Sequence, residues 1–228
     1  MVELLNIDCM DYMKTCKDNE FDLLLSDPPY FDGPDKLGYY GASVSSVGVS
    51  REGYEPIGCW DVPGESFFAE AKRISKNQII FGINYFDIKN IGHGRIVWDK
   101  CNGKSSFSDC EIAYSSFHYS VRMFKYMWNG MMQGAGVLDG ERMQGNKKLN
   151  EKRIHPTQKP VKLYEWLLNT YALSGQKIID THLGSGSSAI AAHYFGCEFV
   201  GCEKTRYYHK AATKRYNNET RQMALLET

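Results

Sequence analysis

Hydrophobic and polar positions along the chain switch repeatedly between strand and helix periods. Val2-Glu3-Leu4-Leu5-Asn6-Ile7-Asp8 reads as a short strand ending at an acidic residue, and Cys9, Met13 and Cys16 then share one face of a short helix. The apolar run at 21–26 predicts a second strand, which delivers Asp27. Asp61 and Pro63 open a helix whose stripe of Phe67, Phe68, Ala71 and Ile74 continues to Lys76, and a strand follows at 78–82. Two more strands are expected at 95–98 and 111–114, while Phe117 to Trp128 shows strand alternation at Tyr119, Val121 and Met123. Val161, Tyr164, Leu167, Leu168 and Tyr171 predict a helix over 157–172, opened by His155-Pro156-Thr157 and ended by Ser174-Gly175. A strand at 177–180, a Gly/Ser turn at 181–188, a helix at 189–195, a strand at 199–203 and a helix through Tyr207, Ala211 and Tyr216 complete the pattern. Strands alternating with helices predict an α/β fold around a mostly parallel sheet.

Two segments break the periodicity. Residues 31–61 are rich in Gly, Ser and Tyr, which predicts a long mobile loop; its place directly after Asp27 suits a lid that closes over a substrate. Residues 129–150 are rich in Gly and Met with charges of both signs, and read as part of an insertion rather than a second domain. At 228 residues the chain is expected to form a single domain.

Composition narrows the class. Hydrophobic content of 43% without an apolar run long enough for a membrane span suits a soluble protein, and the N-terminus lacks a signal-peptide pattern, so a cytoplasmic location is expected. Seven cysteines without CxxC spacing suggest neither a disulfide framework nor a zinc site, and no metal is expected. Lys plus Arg balances Asp plus Glu at 27 each, so any contact with nucleic acid has to use a local patch.

The candidate chemistry centres on Asp27-Pro28-Pro29-Tyr30. Two consecutive prolines fix φ and remove donors, leaving carbonyls unpaired beside a carboxylate and an aromatic ring. Further on, Asp180 opens a turn containing Gly184 and Gly186, and Glu203 ends the next strand. Glycines there let backbone approach a ligand, and an acid about 20 residues on suits ribose hydroxyls. The turn lacks full GxGxxG spacing, and its aspartate would oppose a pyrophosphate. An acidic turn fits the cationic S-adenosylmethionine (SAM) better than a dinucleotide.

Together these stretches resemble the DNA amino-methyltransferases, which transfer methyl from SAM to adenine N6 or cytosine N4. Asp27-Pro28-Pro29-Tyr30 matches the family's catalytic motif, the turn from Asp180 to Ser187 its cofactor turn, Glu203 its ribose acid, and His155-Pro156-Thr157-Gln158-Lys159-Pro160 the segment before that turn. The catalytic motif precedes the cofactor turn, as in the circularly permuted β group. The resemblance implies a Rossmann-like methyltransferase fold with helices on both faces of the sheet. It also implies a catalytic role for Asp27, Pro28, Pro29 and Tyr30, and cofactor contacts from Asp8, Thr157, Lys159, Asp180, His182, Gly184, Ser185, Gly186, Ser187 and Glu203. One departure stands out: many relatives read Asp-Pro-Phe where this chain has Thr181-His182-Leu183 after Asp180, which leaves the contacts of His182 open.

An exocyclic amine is a poor nucleophile because its lone pair is delocalised into the ring. Acceptors on Asp27 and on the Pro28 carbonyl would draw it towards tetrahedral geometry, and Tyr30 would stack on a base flipped out of duplex DNA. Between 116 and 153, Arg122, Lys125, Tyr126, Arg142, Lys147 and Lys148, interleaved with Tyr119, Phe124 and Trp128, form the expected DNA-recognition insertion. Asp at position 27 favours adenine N6, since cytosine-N4 relatives more often carry Ser there. Cytosine N4 is the first alternative, transfer to RNA or a protein amide the second, and an idle SAM- or DNA-binding module the third. The resemblance allows a homodimer and a partner restriction endonuclease, and no apolar stripe in the sequence identifies an interface.

Overall fold

Strand β2 (Phe21–Ser26) is buried along almost its whole length, with Leu23, Leu24 and Leu25 at 0–1% exposure, because it lies inside a sheet covered on both faces. The computed structural model describes residues 1–30, 43–44, 50–51, 53–57, 60–101, 108–129, 132–134 and 150–224. Numbered along the chain, the strands of the main sheet are β1 (Val2–Leu5), β2, β5 (Ser75–Phe81), β6 (Arg95–Asp99), β7 (Cys110–Ser115), β8 (Val121–Lys125), β11 (Lys177–Asp180) and β12 (Glu198–Cys202). Two short ladders stand apart from it, β3 (Ser43–Val44) with β4 (Ser50–Arg51) and β9 (Met127–Asn129) with β10 (Met132–Gly134). The sheet order is β1-β12-β11-β2-β5-β7-β6-β8. Its first five strands are mutually parallel; β7 runs antiparallel to both β5 and β6, and β8 closes the far edge parallel to β6.

Alternation along the central strands divides the core in two. Leu23, Leu25, Ile178 and Phe199 face α3 (Val161–Tyr171) and α4 (Ser187–Phe195), whereas Leu24, Ile80, Ile179 and Val200 face α1 (Cys9–Thr15) and α2 (Glu65–Ile74). The long α5 (Arg206–Ala224) joins the first group through Ala212. This is the α/β arrangement expected from the alternating pattern, with helices on both faces of a mostly parallel sheet as the resemblance implies. No helix among the described residues is long and apolar enough to cross a membrane.

Several boundaries differ from the sequence expectation. Helix α3 starts at Val161 rather than Thr157: a residue before proline is pushed out of the helical region, and Pro160 becomes the N-cap. The Val161 N–H is taken instead by the Glu151 carboxylate at 3.0 Å. Helix α2 ends at Ile74, and Lys76 lies in β5, where pairing of Ser75 with Phe21 and a 2.7 Å Lys76–Asp22 ion pair favour strand over another helical turn. Helix α4 begins two residues early, at Ser187. The expected lid at 31–61 falls mostly outside the described residues, as does most of the 129–150 segment.

The parallel strands β1, β12, β11 and β2 end on one rim of the sheet, which brings Asp8, Glu203, Thr181 and Asp27 to the same side; ligands of open α/β sheets bind at such carboxyl ends. Beyond β5, Gly82 takes φ +69° and lies under the Tyr30 ring, where a Cβ would overlap the ring carbons. Gly82→Ala should therefore destabilise the fold by about 2 kcal/mol or more, from left-handed strain plus ring displacement. A urea midpoint unchanged from wild type would contradict this packing.

Candidate active site

The Asp27 carboxylate leaves β2 and meets the Lys159 ammonium at 2.5 Å through Oδ2. Its other oxygen, Oδ1, is buried and has no hydrogen-bond partner among the described residues. A buried acceptor without a donor is costly, and native structures rarely keep one unless something else supplies the donor. Lys159, whose side chain is 2% exposed, also contacts Glu111 Oε2 at 2.8 Å, and Glu111 Oε1 pairs with Lys100 at 2.6 Å. Burial works against the Glu111 charge, but Lys159 and Lys100 outweigh it and hold its carboxyl at about 2. The Tyr30 hydroxyl donates towards Glu111 Oε2 at 3.4 Å, and its ring stacks on Tyr85 with centroids 4.9 Å apart.

Beside Asp27 opens a cleft of about 210 Å³ that brings together residues from distant parts of the sequence: Asp8, Pro29, Thr157, Lys159, His182, Gly184, Ser185, Ser187 and Glu203 all line it. Glu203 accepts the Gly184 N–H at 3.0 Å and the Thr205 N–H at 2.8 Å, so the turn and the end of β12 hold its carboxylate in place. Asp8 caps α1 by accepting the Met10 N–H at 2.8 Å and pairs with Lys204 at 3.1 Å. Ser187 Oγ donates to the Lys159 carbonyl at 2.7 Å, tying the glycine turn to the segment before α3. Thr157 leans on the buried His155 ring, 3.1 Å from Oγ1 to Nδ1.

Two expected cofactor residues do not reach the cleft wall. Asp180 is 1% exposed; its oxygens accept the His182 N–H at 2.9 Å and the Ser188 hydroxyl at 2.5 Å, so it closes the turn from behind. Gly186 instead provides the φ +78° from which α4 starts. His182 lies at the wall with its ring between Ser26 Oγ at 3.1 Å and Cys9 Sγ at 3.8 Å, edge-on to Phe67. These contacts pack His182 as a neutral ring at the cleft wall.

The basic and aromatic segment is divided by burial. Arg122 and Lys125 are exposed on β8, at the sheet edge opposite β1. Tyr126 instead stacks on Phe124, which stacks on Trp166, and Trp128 is buried with its N–H donated to the Gln158 carbonyl. Trp128 therefore belongs to the protein's packing, while Phe124 and Tyr126 are half-buried against it. Arg142, Lys147 and Lys148 lie outside the described residues.

Sequence reading missed Glu111, Lys100 and Arg215. Arg215 reaches from α5 to the Ser185 carbonyl at 3.2 Å, Ser187 Oγ at 2.9 Å and Glu151 at 2.8 Å, bracing the glycine turn. A charge inside an otherwise apolar strand, such as Glu111 in β7, was the available signal, but its partners come from other elements. Among the described residues, no three His, Cys, Asp or Glu side chains are grouped to hold a metal ion.

Comparison with known proteins finds similar chains among DNA methyltransferases. A family model described as DNA methylase matches residues 120–214. The Type II methyltransferase M2.MboI of Moraxella bovis is 25% identical over 250 aligned residues, covering 93% of this chain and 86% of its own. The chain is thus similar to DNA methyltransferases in both sequence and fold. Among solved structures, the M1.HpyAVI–SAM complex resembles this chain with a TM-score of 0.53 at 18% identity, covering 94% of this chain and all of that one. PvuII DNA methyltransferase, a cytosine-N4-specific enzyme, gives 0.56 at 11%, covering 96% and 90%. At these identities the two structures establish the fold.

Burial, and for His155 also the nearby Lys159 charge, pushes the imidazoles of His182 and His155 down to about 4 and about 3. Both folded values lie below the ordinary 6.5, so the stability these rings contribute is whole above pH 6.5 and lost as pH falls through about 4 and 3. Imidazole NMR titration should find His182 neutral until about pH 4, and a midpoint near 6.5 would mean a solvated ring.

Proposed function

We propose that this methyltransferase modifies adenine N6 of a flipped-out base in duplex DNA, using S-adenosylmethionine held in the cleft beside Asp27. The observation that carries the reading is the buried, unpartnered Asp27 Oδ1 next to that cleft. The cleft's charge fits the donor: its lining includes four carboxylates, from Asp8, Asp27, Asp61 and Glu203, against two ammonium groups, from Lys159 and Lys204, and SAM is a cation. When bound, SAM supplies a methyl group on a positively charged sulfur that leaves as a neutral thioether.

The chain's own residues prepare the amine. Asp27 Oδ1 accepts one N–H and the Pro28 carbonyl the other, which draws the nitrogen lone pair out of conjugation and aims it into the cleft. Pro29 keeps the backbone stiff, and the Tyr30–Tyr85 pair offers the base an aromatic neighbour that offsets part of the cost of flipping. As the N–C bond forms, positive charge on nitrogen is met by Asp27, and the excess proton then leaves to solvent. Glu203 is suited to ribose hydroxyls through lone pairs its backbone donors leave free, and Thr157, Lys159, Ser185 and Ser187 also line the cleft. Exposed Arg122 and Lys125 suit phosphates. A cytoplasmic site of action accords with a DNA substrate. A second copy and a partner endonuclease enter none of these steps.

Labelled SAM and mixed-sequence DNA, digested to nucleosides after incubation, should yield label on N6-methyladenine. Label on N4-methylcytosine would replace the base assignment, and SAM binding without transfer would favour an idle module. Asp27→Ala should lower the single-turnover rate by about a hundredfold or more while SAM affinity stays within a few fold, because the lost interaction is made mainly in the transition state.

A further inference from the structure

Lys159 is the one ammonium in contact with Asp27 among the ion pairs of the described residues, and it is shared. Glu111 takes it from the other side at 2.8 Å and is itself held by Lys100 at 2.6 Å; the Tyr30 hydroxyl reaches the same carboxylate. Two cations and two carboxylates thus form a closed, neutral set, with Lys159 additionally 4.9 Å above the Phe81 ring. Neither Glu111 nor Lys100 lines the cleft, so neither contacts a ligand there.

Without Glu111, a buried ammonium would have Asp27 as its sole carboxylate partner in this set. The full positive charge would then bear on the group that has to attract an amine N–H, and the Asp27 carboxylate would become a weaker acceptor. With Glu111 present, the ammonium is divided between two carboxylates. Oδ2 of Asp27 stays anchored, while Oδ1 keeps its negative character and no donor. The same Glu111 oxygen that receives Lys159 receives Tyr30, so acceptor and ring are referenced to one point.

We propose that Glu111, held in place by Lys100, is a positioning residue for methyl transfer: it shares Lys159 with Asp27 and thereby fixes Asp27 with one oxygen uncommitted for the substrate amine. This rests on the reading that Asp27 receives the amine.

The charged and titratable groups facing Asp27 are Lys159 before α3, Glu111 on β7, Lys100 after β6, Tyr164 on α3, Asp180 at the end of β11 and Tyr30 from its own segment. Burial raises the Asp27 carboxyl above its ordinary value, Lys159 and Lys100 pull it down, and the Glu111 charge pushes it up. Charge-neutral replacements at positions 111 and 100 therefore have opposite signs. Glu111→Gln keeps hydrogen-bonding atoms but removes a negative charge; Lys100→Gln removes a positive one.

The test measures single-turnover methyl transfer from labelled SAM to unmethylated genomic DNA as a function of pH, alongside SAM affinity and thermal melting. Glu111→Gln should slow transfer by about ten- to a hundredfold, the range for removing a partner that acts through another group. It should also move the acid limb of the rate profile to lower pH, with SAM affinity unchanged. Lys100→Gln should move that limb to higher pH. Wild-type rates with unmoved limbs in both variants, or limbs displaced in the same direction, would overturn the proposal. If Glu111→Gln does not fold, the sign of the Lys100→Gln displacement decides alone. Absence of transfer to DNA by the wild-type chain would overturn the underlying reading and this inference with it.

Discussion

A single buried ammonium ties the site together. Lys159 lies just before α3, while its two carboxylate partners come from the end of β2 and from β7, so one side chain joins three elements remote in sequence. An unpaired charge in such a place would cost several kcal/mol, and removing one partner of a buried pair leaves that cost exposed. Lys100 completes the neutrality of the set. The carboxylate of β2 is thereby anchored on one oxygen only, which separates the part of Asp27 that belongs to the fold from the part available for chemistry.

A second clamp holds the cofactor side. Arg215 on α5 binds the glycine turn at Ser185 and Ser187 and is balanced by Glu151, whose carboxylate also accepts the first N–H of α3. Ser187 then reaches the Lys159 carbonyl. The two clamps therefore meet at the segment before α3, with its side chain turned to Asp27 and its backbone to the turn. A displacement of that segment would be felt at both ends of the cleft, since packed interiors transmit shifts rather than absorb them.

In the glycine turn, residues adjacent in sequence have separate tasks. Asp180 is spent entirely on the turn itself, and His182 occupies a pocket made by Ser26, Cys9 and Phe67. Neutral at ordinary pH because of its burial, the imidazole fills space without adding charge to an acidic cleft. The acidity presented to a ligand comes instead from Asp8, Asp27, Asp61 and Glu203.

Much of this was legible in the chain itself. Apolar periodicity determined the alternation of strands and helices, because burial at period two or near four is a local property of the residues concerned. Asp27, Glu203 and the Gly184–Gly186 turn were recognisable because their spacing from strand ends is local too. Boundaries at Val161 and Ile74 escaped it, since the Glu151 carboxylate and the β2–β5 ladder that decide them come from elsewhere. Likewise, the sequence does not separate the buried Trp128 from the half-buried Tyr126 within the basic and aromatic segment, because their partners Gln158 and Phe124 decide it. Only the tertiary structure decided that Glu111 and Lys100 belong with Asp27 and that Asp180 does not face the cleft. Which buried charges share a counter-ion depends on distances across the fold, and no spacing along the chain encodes those.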